Sequence, residues 1–116
     1  MAELLETIVE AIDDKKGKNI VSLDLRELDG AITDHFVITS ADSYVQAGAI
    51  ADGVEEAVEK GLGRRVIRVE GKQNGLWVVM DYGEVMVHIF QKEMRDFYAL
   101  EDLWADADLT RYQFDE

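Results

Sequence analysis

Leu76-Trp77-Val78-Val79-Met80-Asp81, then Tyr82-Gly83, then Glu84-Val85-Met86-Val87-His88-Ile89-Phe90 is the stretch that decides how this chain folds. Two runs rich in β-branched and aromatic residues flank a turn dipeptide, which is the signature of a β-hairpin. Side chains alternate across a strand. In the second run Val85, Val87 and Ile89 share one face, and Met86, His88 and Phe90 share the other. In the first run Leu76, Val78 and Met80 alternate with Trp77, Val79 and Asp81. A two-residue Tyr82-Gly83 loop sets Trp77 across from His88 and Val79 across from Met86. One face is then entirely aliphatic or methionine and reads as core. The other mixes aromatic bulk with polar handles, which is interface chemistry. A three-residue loop with Gly83 in a bulge would change which faces coincide, because a slip of one residue turns every side chain over. The pattern leaves open whether a helix of the same chain covers the Trp77 face.

Working outward, Met94, Phe97, Leu100 and Trp104 predict a helix after the hairpin, with Tyr98 beside the stripe. Residues 105–116 read as an acidic, weakly patterned tail. Upstream, residues 64–70 read as a strand, with chain breaks at Gly71 and Asn74-Gly75. Ala47, Ile50, Ala51, Val54, Ala57 and Val58 form a long helical stripe ending near Gly61 and Gly63, with Asp42 or Ser43 as its N-cap. Its many alanines allow close approach to a sheet. Residues 19–25 and 35–39 read as strands joined by a connection over 28–33. Leu4, Leu5, Ile8, Val9 and Ile12 mark an amphipathic helix over residues 2–16, ended by Gly17. The order αββαβββα predicts a single α/β (α+β) domain over residues 1–104: a five-stranded mixed sheet with three helices. The first two strands pair antiparallel, as do the last two. The path from the second strand through the long helix to the third reads as a right-handed parallel crossover.

Composition narrows the function. The 116 residues contain no cysteine, which removes disulfides, thiolate catalysis and cysteine-ligated metals together. Twenty-five acids against 12 bases give a net charge of −13. Such a surface repels a phosphate backbone and favours a basic protein partner, although solubility or an acid-rich host proteome accounts for the charge equally well. Little direct nucleic-acid contact is expected. Lys60, Arg64, Arg65, Arg68 and Lys72 form the single basic island, a candidate RNA contact or a solvated helix end and edge strand. Residues 93–116 carry −6 and would attract a basic surface. No window reaches the roughly 18 apolar residues of a membrane span, and the acidic N-terminus is unlike a signal peptide, so no membrane contact and a cytoplasmic location are expected.

A catalytic set is hard to assemble. His35 reads as a structural histidine and His88 as a polar contact, with no second histidine at ligand spacing. Asp106-Ala107-Asp108 resembles a magnesium-binding pair but falls in the tail, where nothing holds it rigid. Gly61-Leu62-Gly63-Arg64-Arg65 follows a helix instead of preceding one, the wrong polarity for phosphate binding. No metal or cofactor is expected.

These residues resemble the ribosomal silencing factor family (RsfS, also called Iojap-like) over nearly the whole chain. The resemblance rests on Asp34-His35-Phe36-Val37-Ile38, on Glu70-Gly71 followed by Gly75-Leu76-Trp77, on the run from Asp81 to Phe90, and on the run from Arg95 to Trp104. It implies a nucleotidyltransferase-like fold without catalytic residues and a protein that is not an enzyme. It implies binding to large-subunit ribosomal protein number fourteen, so that the large ribosomal subunit is sterically kept from the small one and translation is repressed. A homodimer in isolation is also implied. Two alternatives are a large-subunit assembly factor using the same contact and a nucleotide-processing enzyme on this fold. Carried onto matching positions, the partner surface comprises Leu76, Trp77, Asp81, Tyr82, His88, Phe90, Arg95 and Tyr98; Glu101 and Trp104 also match, with helix packing as an equal role. The residues themselves speak against transferase chemistry. The turn Thr39-Ser40-Ala41-Asp42-Ser43 lacks the glycine such an enzyme needs and sets a carboxylate where a phosphate would approach.

Overall fold

The computed structural model describes residues 2–114. Helix α1 (Ala2–Asp14) buries Leu4, Ile8, Val9 and Ile12 of the predicted stripe and leaves its fifth member, Leu5, half-buried. Lys16, at φ 68°, takes the left-handed position beyond its end. Gly17 serves a different need: a Cβ there would collide with the Ile12 side chain and stand 2.8 Å from the Thr39 hydroxyl. Helix α2 (Tyr44–Leu62) is capped by Ser43, whose Oγ accepts from the Gln46 N–H at 3.1 Å. Its far end closes on Gly63 at φ 65°, the left-handed conformation that glycine adopts without strain.

Among the described residues, six strands form one sheet in the order β3-β4-β5-β2-β1-β6. They are β1 (Lys18–Asp24), β2 (His35–Ala41), β3 (Arg68–Glu70), β4 (Trp77–Asp81), β5 (Val85–Gln91) and β6 (Asp108–Arg111). The β1–β2 and β4–β5 pairs are antiparallel as expected, and β2 runs parallel to β5. Two expectations are corrected. Among the described residues the sheet has six strands, not five. The strand predicted over 64–70 is confined to its last three residues. The strand reached from β2 through α2 is β3, which runs in the same direction as β2, as the parallel β2–β5 and antiparallel β4–β5 and β3–β4 pairs require, but lies at the sheet edge with β5 and β4 between them.

The sixth strand lies within the segment read as a tail. Strand β6 pairs antiparallel with β1, setting Leu109 opposite Leu23. Beyond it, the Tyr112 N–H donates to the Ile20 carbonyl, and the Tyr112 hydroxyl lies 2.9 Å from Ser22 Oγ. All four β6 residues are exposed, so no apolar alternation marks this strand in the sequence. Residues 115–116 of the predicted tail lie outside the described residues.

The hairpin turns one residue later than expected. The Tyr82 N–H donates to the Val85 carbonyl, leaving Gly83-Glu84 as the two-residue loop. Gly83 stands at φ 91°, in the first loop position where a type II′ turn takes glycine. Trp77 therefore opposes Phe90, and Val79 opposes His88. This is a shift of two residues from the expected pairing. An even shift preserves the faces, so the two predicted faces stand.

Val78, Met80, Val85, Val87 and Ile89 pack with α1 and α2 in the main core. The opposite face carries a second cluster: Val21, Leu23, Leu25, Phe36, Ile38, Phe90 and Leu100. It is covered by α3 (Lys92–Tyr98) and the one-turn α4 (Leu100–Leu103). The single helix predicted here is broken at Ala99, which adopts φ 46°.

Candidate partner-binding surface

The second sheet face is only partly covered. Trp77 is half-buried on β4, with its ring stacked on Phe90 at 4.9 Å between centroids and leaning on Tyr98 at 4.5 Å. Tyr98 is 43% exposed, and Leu76, the residue before β4, is 42% exposed. Phe97 is 74% exposed and meets the Tyr98 ring edge-on. Val79 and Met86, half-buried, continue the same sheet face. The face therefore presents an aromatic ridge whose base is core and whose crest is open to solvent, the arrangement by which Trp and Tyr anchor interfaces.

His88 lies beneath that ridge. It is 4% exposed, and burial pushes its pKa down to about 4, so the imidazole is neutral. The Trp77 indole N–H donates to His88 Nδ1 at 3.0 Å. An indole nitrogen can only donate, so Nδ1 is the acceptor and the imidazole proton sits on Nε2. That Nε2 is buried and has no hydrogen-bond partner among the described residues. The Phe36 ring packs edge-on against the imidazole, 4.5 Å between centroids.

The positions singled out in the sequence separate into groups. Trp77 and Tyr98 reach solvent together, whereas Leu76, exposed as well, falls by strand alternation on the opposite side from Trp77. Asp81 lies on the same face at its turn end; its Oδ1 accepts from the Gly83 N–H at 2.8 Å and Arg68 stands 3.8 Å away. His88 and Phe90 form the floor, since Phe90 is fully buried. Tyr82 is elsewhere: with the turn at Gly83-Glu84 it stays in phase with Val78 and Met80, and its ring is sealed in the core under α2. Arg95 is also withdrawn. It is 7% exposed and donates to the Asn19 carbonyl at 2.6 Å, Ser40 Oγ at 2.9 Å and Glu101 at 2.8 Å. These bonds hook α3 and α4 onto the ends of β1 and β2. Phe97 belongs by spacing to the core stripe of a continuous helix. The break at Ala99 ends that periodicity and leaves Phe97 outside, a change that no apolar spacing signals.

The charges also rearrange. Lys60 pairs with Glu56 at 2.9 Å, Arg64 grips Glu84 through two bonds of 2.7 and 2.8 Å, Arg68 faces Asp81, and Lys72 bonds Asp52. Most of the basic island is thus matched by acids, several of them distant in sequence. The Arg64 guanidinium holds the Glu84 carboxyl down to about 2. Asp24 is likewise held down to about 2, chiefly by the Arg26 side chain. Asp42 is engaged by Lys18 at 2.8 Å. Among the described residues, no helix is long and apolar enough to cross a membrane.

This combination defines a class: a small acidic α/β domain of one sheet that leaves an aromatic ridge uncovered. The sequence model of the family described as "Ribosomal silencing factor during starvation" matches residues 1–116, and the chain belongs to that family. It is 39% identical to ribosomal silencing factor RsfS of Halalkalibacterium halodurans over 90% of this chain and 88% of that protein. It is 35% identical to RsfS of Bacillus subtilis over 96% of this chain and 92% of that protein. A crystal structure of a Chromobacterium violaceum protein superposes with a TM-score of 0.85 at 32% identity, covering 90% of this chain and 86% of that one. The family name is that of a ribosome-associated regulator of translation.

Proposed function

We propose that this protein represses translation by docking its aromatic ridge on large-subunit ribosomal protein number fourteen, so that the small subunit cannot join. The observation that carries the reading is the uncovered ridge of Trp77, Phe97 and Tyr98 on the sheet face that α3 and α4 cover only in part. A large apolar group left at the surface of an acidic domain with net charge −13 suits a basic protein surface with an apolar pocket. The action is steric and takes place in the cytoplasm. Transferase chemistry is disfavoured because the strand-to-helix turn is committed elsewhere: Ser43 caps α2 and Asp42 pairs with Lys18.

The test is co-sedimentation of the purified protein with isolated large subunits and with joined ribosomes. Binding to the former and exclusion from the latter supports the reading. Binding to both alike refutes steric exclusion. Magnesium-dependent nucleotide turnover lost on Asp24→Asn or Asp42→Asn would establish the enzymatic alternative instead.

A further inference from the structure

We infer that His88 is a positioning residue that holds the Trp77 indole in its docking orientation and does not itself meet the partner. The inference rests on the reading of the ridge as a docking surface and names what sets its geometry. His88 is 4% exposed, below Trp77 and flanked by Phe36 and Phe90, so no partner side chain reaches it without unpacking the sheet face. Packing alone does not account for a histidine here. Its Nε2–H is buried with no acceptor among the described residues, an unfavourable state that an aliphatic side chain of similar size would avoid. What the imidazole supplies and an aliphatic residue cannot is an acceptor at Nδ1, 3.0 Å from the Trp77 indole nitrogen.

That acceptor completes the restraint on the ring. Stacking on Phe90, with 26° between the planes and 4.9 Å between centroids, resists tilting but leaves the indole free to slide and turn within its own plane. A hydrogen bond directed from one ring edge removes that freedom. Tyr98, tilted at 43° and 4.5 Å away, bounds the remaining side. An anchor immobilised before docking loses less conformational entropy on binding, which corresponds to roughly 3–10-fold in affinity for one side chain.

The experiment compares His88→Leu, His88→Asn, Trp77→Phe and the double variant His88→Leu/Trp77→Phe in the full chain. Two measurements are made: affinity for isolated large ribosomal subunits, and the Nε1–H signal of Trp77 with ¹⁵N-labelled tryptophan. Asparagine is chosen because its Oδ1 stands where Nδ1 does. Expected is a loss of roughly 3–10-fold for His88→Leu with an upfield, faster-exchanging indole signal, near wild-type affinity for His88→Asn, and no further loss from His88→Leu once Trp77→Phe has removed the donor. A purely structural histidine would lower affinity equally with Trp or Phe at position 77, and that result overturns the inference. So does wild-type affinity in His88→Leu. Wild-type protein that ignores large subunits refutes the docking reading itself, whereas bound wild type with an indifferent His88→Leu refutes only the role of His88.

Discussion

Acid titration of His88 should destabilise the fold in a defined pH window. The imidazole is 4% exposed, accepts from Trp77 at Nδ1, and has its pKa lowered from 6.5 to about 4 by burial. Protonation would place a second N–H against the Trp77 N–H and leave a charge in an aromatic pocket. In the unfolded chain the same histidine protonates near its ordinary value, so between these two values the unfolded state binds more protons and stability falls as pH falls. Stability from neutral His88 is fully present above the unfolded value and is lost down to the folded one. A tenfold difference in proton affinity between the two states is worth about 1.4 kcal/mol, so the loss on going from neutral pH to about pH 4.5 is roughly 2–3 kcal/mol. Urea unfolding of the wild type and of His88→Asn at both pH values isolates it. Asp24 and Glu84, both held near 2 in the fold, lose their contributions at lower pH and in both proteins alike. The relief of charge repulsion on acidification also cancels in the comparison. The variant should lose roughly 2–3 kcal/mol less than the wild type over that interval. Equal losses would show that His88 titrates normally and that its pocket is open to water.

Trp77→Ala removes a ring stacked on Phe90 and Tyr98, and should weaken large-subunit binding by about 2–4 kcal/mol while far-ultraviolet circular dichroism stays native. An unfolded variant would place Trp77 in the core proper. Arg95→Met strips the shared donor from Asn19, Ser40 and Glu101 and should cost about 3 kcal/mol in urea unfolding, with α3 and α4 exchanging amide hydrogens first. Uniform exchange across the chain would contradict the hook. Tyr82→Phe deletes a buried hydroxyl that has no partner among the described residues, in a side chain whose pKa burial pushes up to about 12. It should be neutral or stabilising by about 1 kcal/mol, and a clear loss of stability would reveal a hydrogen bond to that hydroxyl. Large-subunit binding should weaken as salt rises through the physiological range, because part of the complementarity is charge; a salt-insensitive complex would make the net charge incidental.

Local pattern determined much of this protein from the sequence. Alternation in Trp77–Asp81 and Val85–Gln91 separated an aliphatic face from an aromatic one, and that separation survived a two-residue difference in register because the pleat repeats every two residues. The stripes of α1 and α2 are equally local, set by helical spacing, whereas the choice of Ser43 over Asp42 as the α2 cap came from the structure. Tertiary structure alone decided what depends on distant partners. Strand β6 exists because β1 offers an edge, with no apolar signal of its own. Arg95 points inward because Asn19, Ser40 and Glu101 converge on it. Tyr82 became core because the turn falls one residue later, and Phe97 became surface because Ala99 interrupts a helix. Four of the five bases of the basic island, Lys60, Arg64, Arg68 and Lys72, face acids, and three of those acids, Asp52, Asp81 and Glu84, are brought to them by folding from elsewhere in the chain. Residue type and period are written along the chain; burial and pairing are properties of which segments meet, and those meetings form only when the sheet closes.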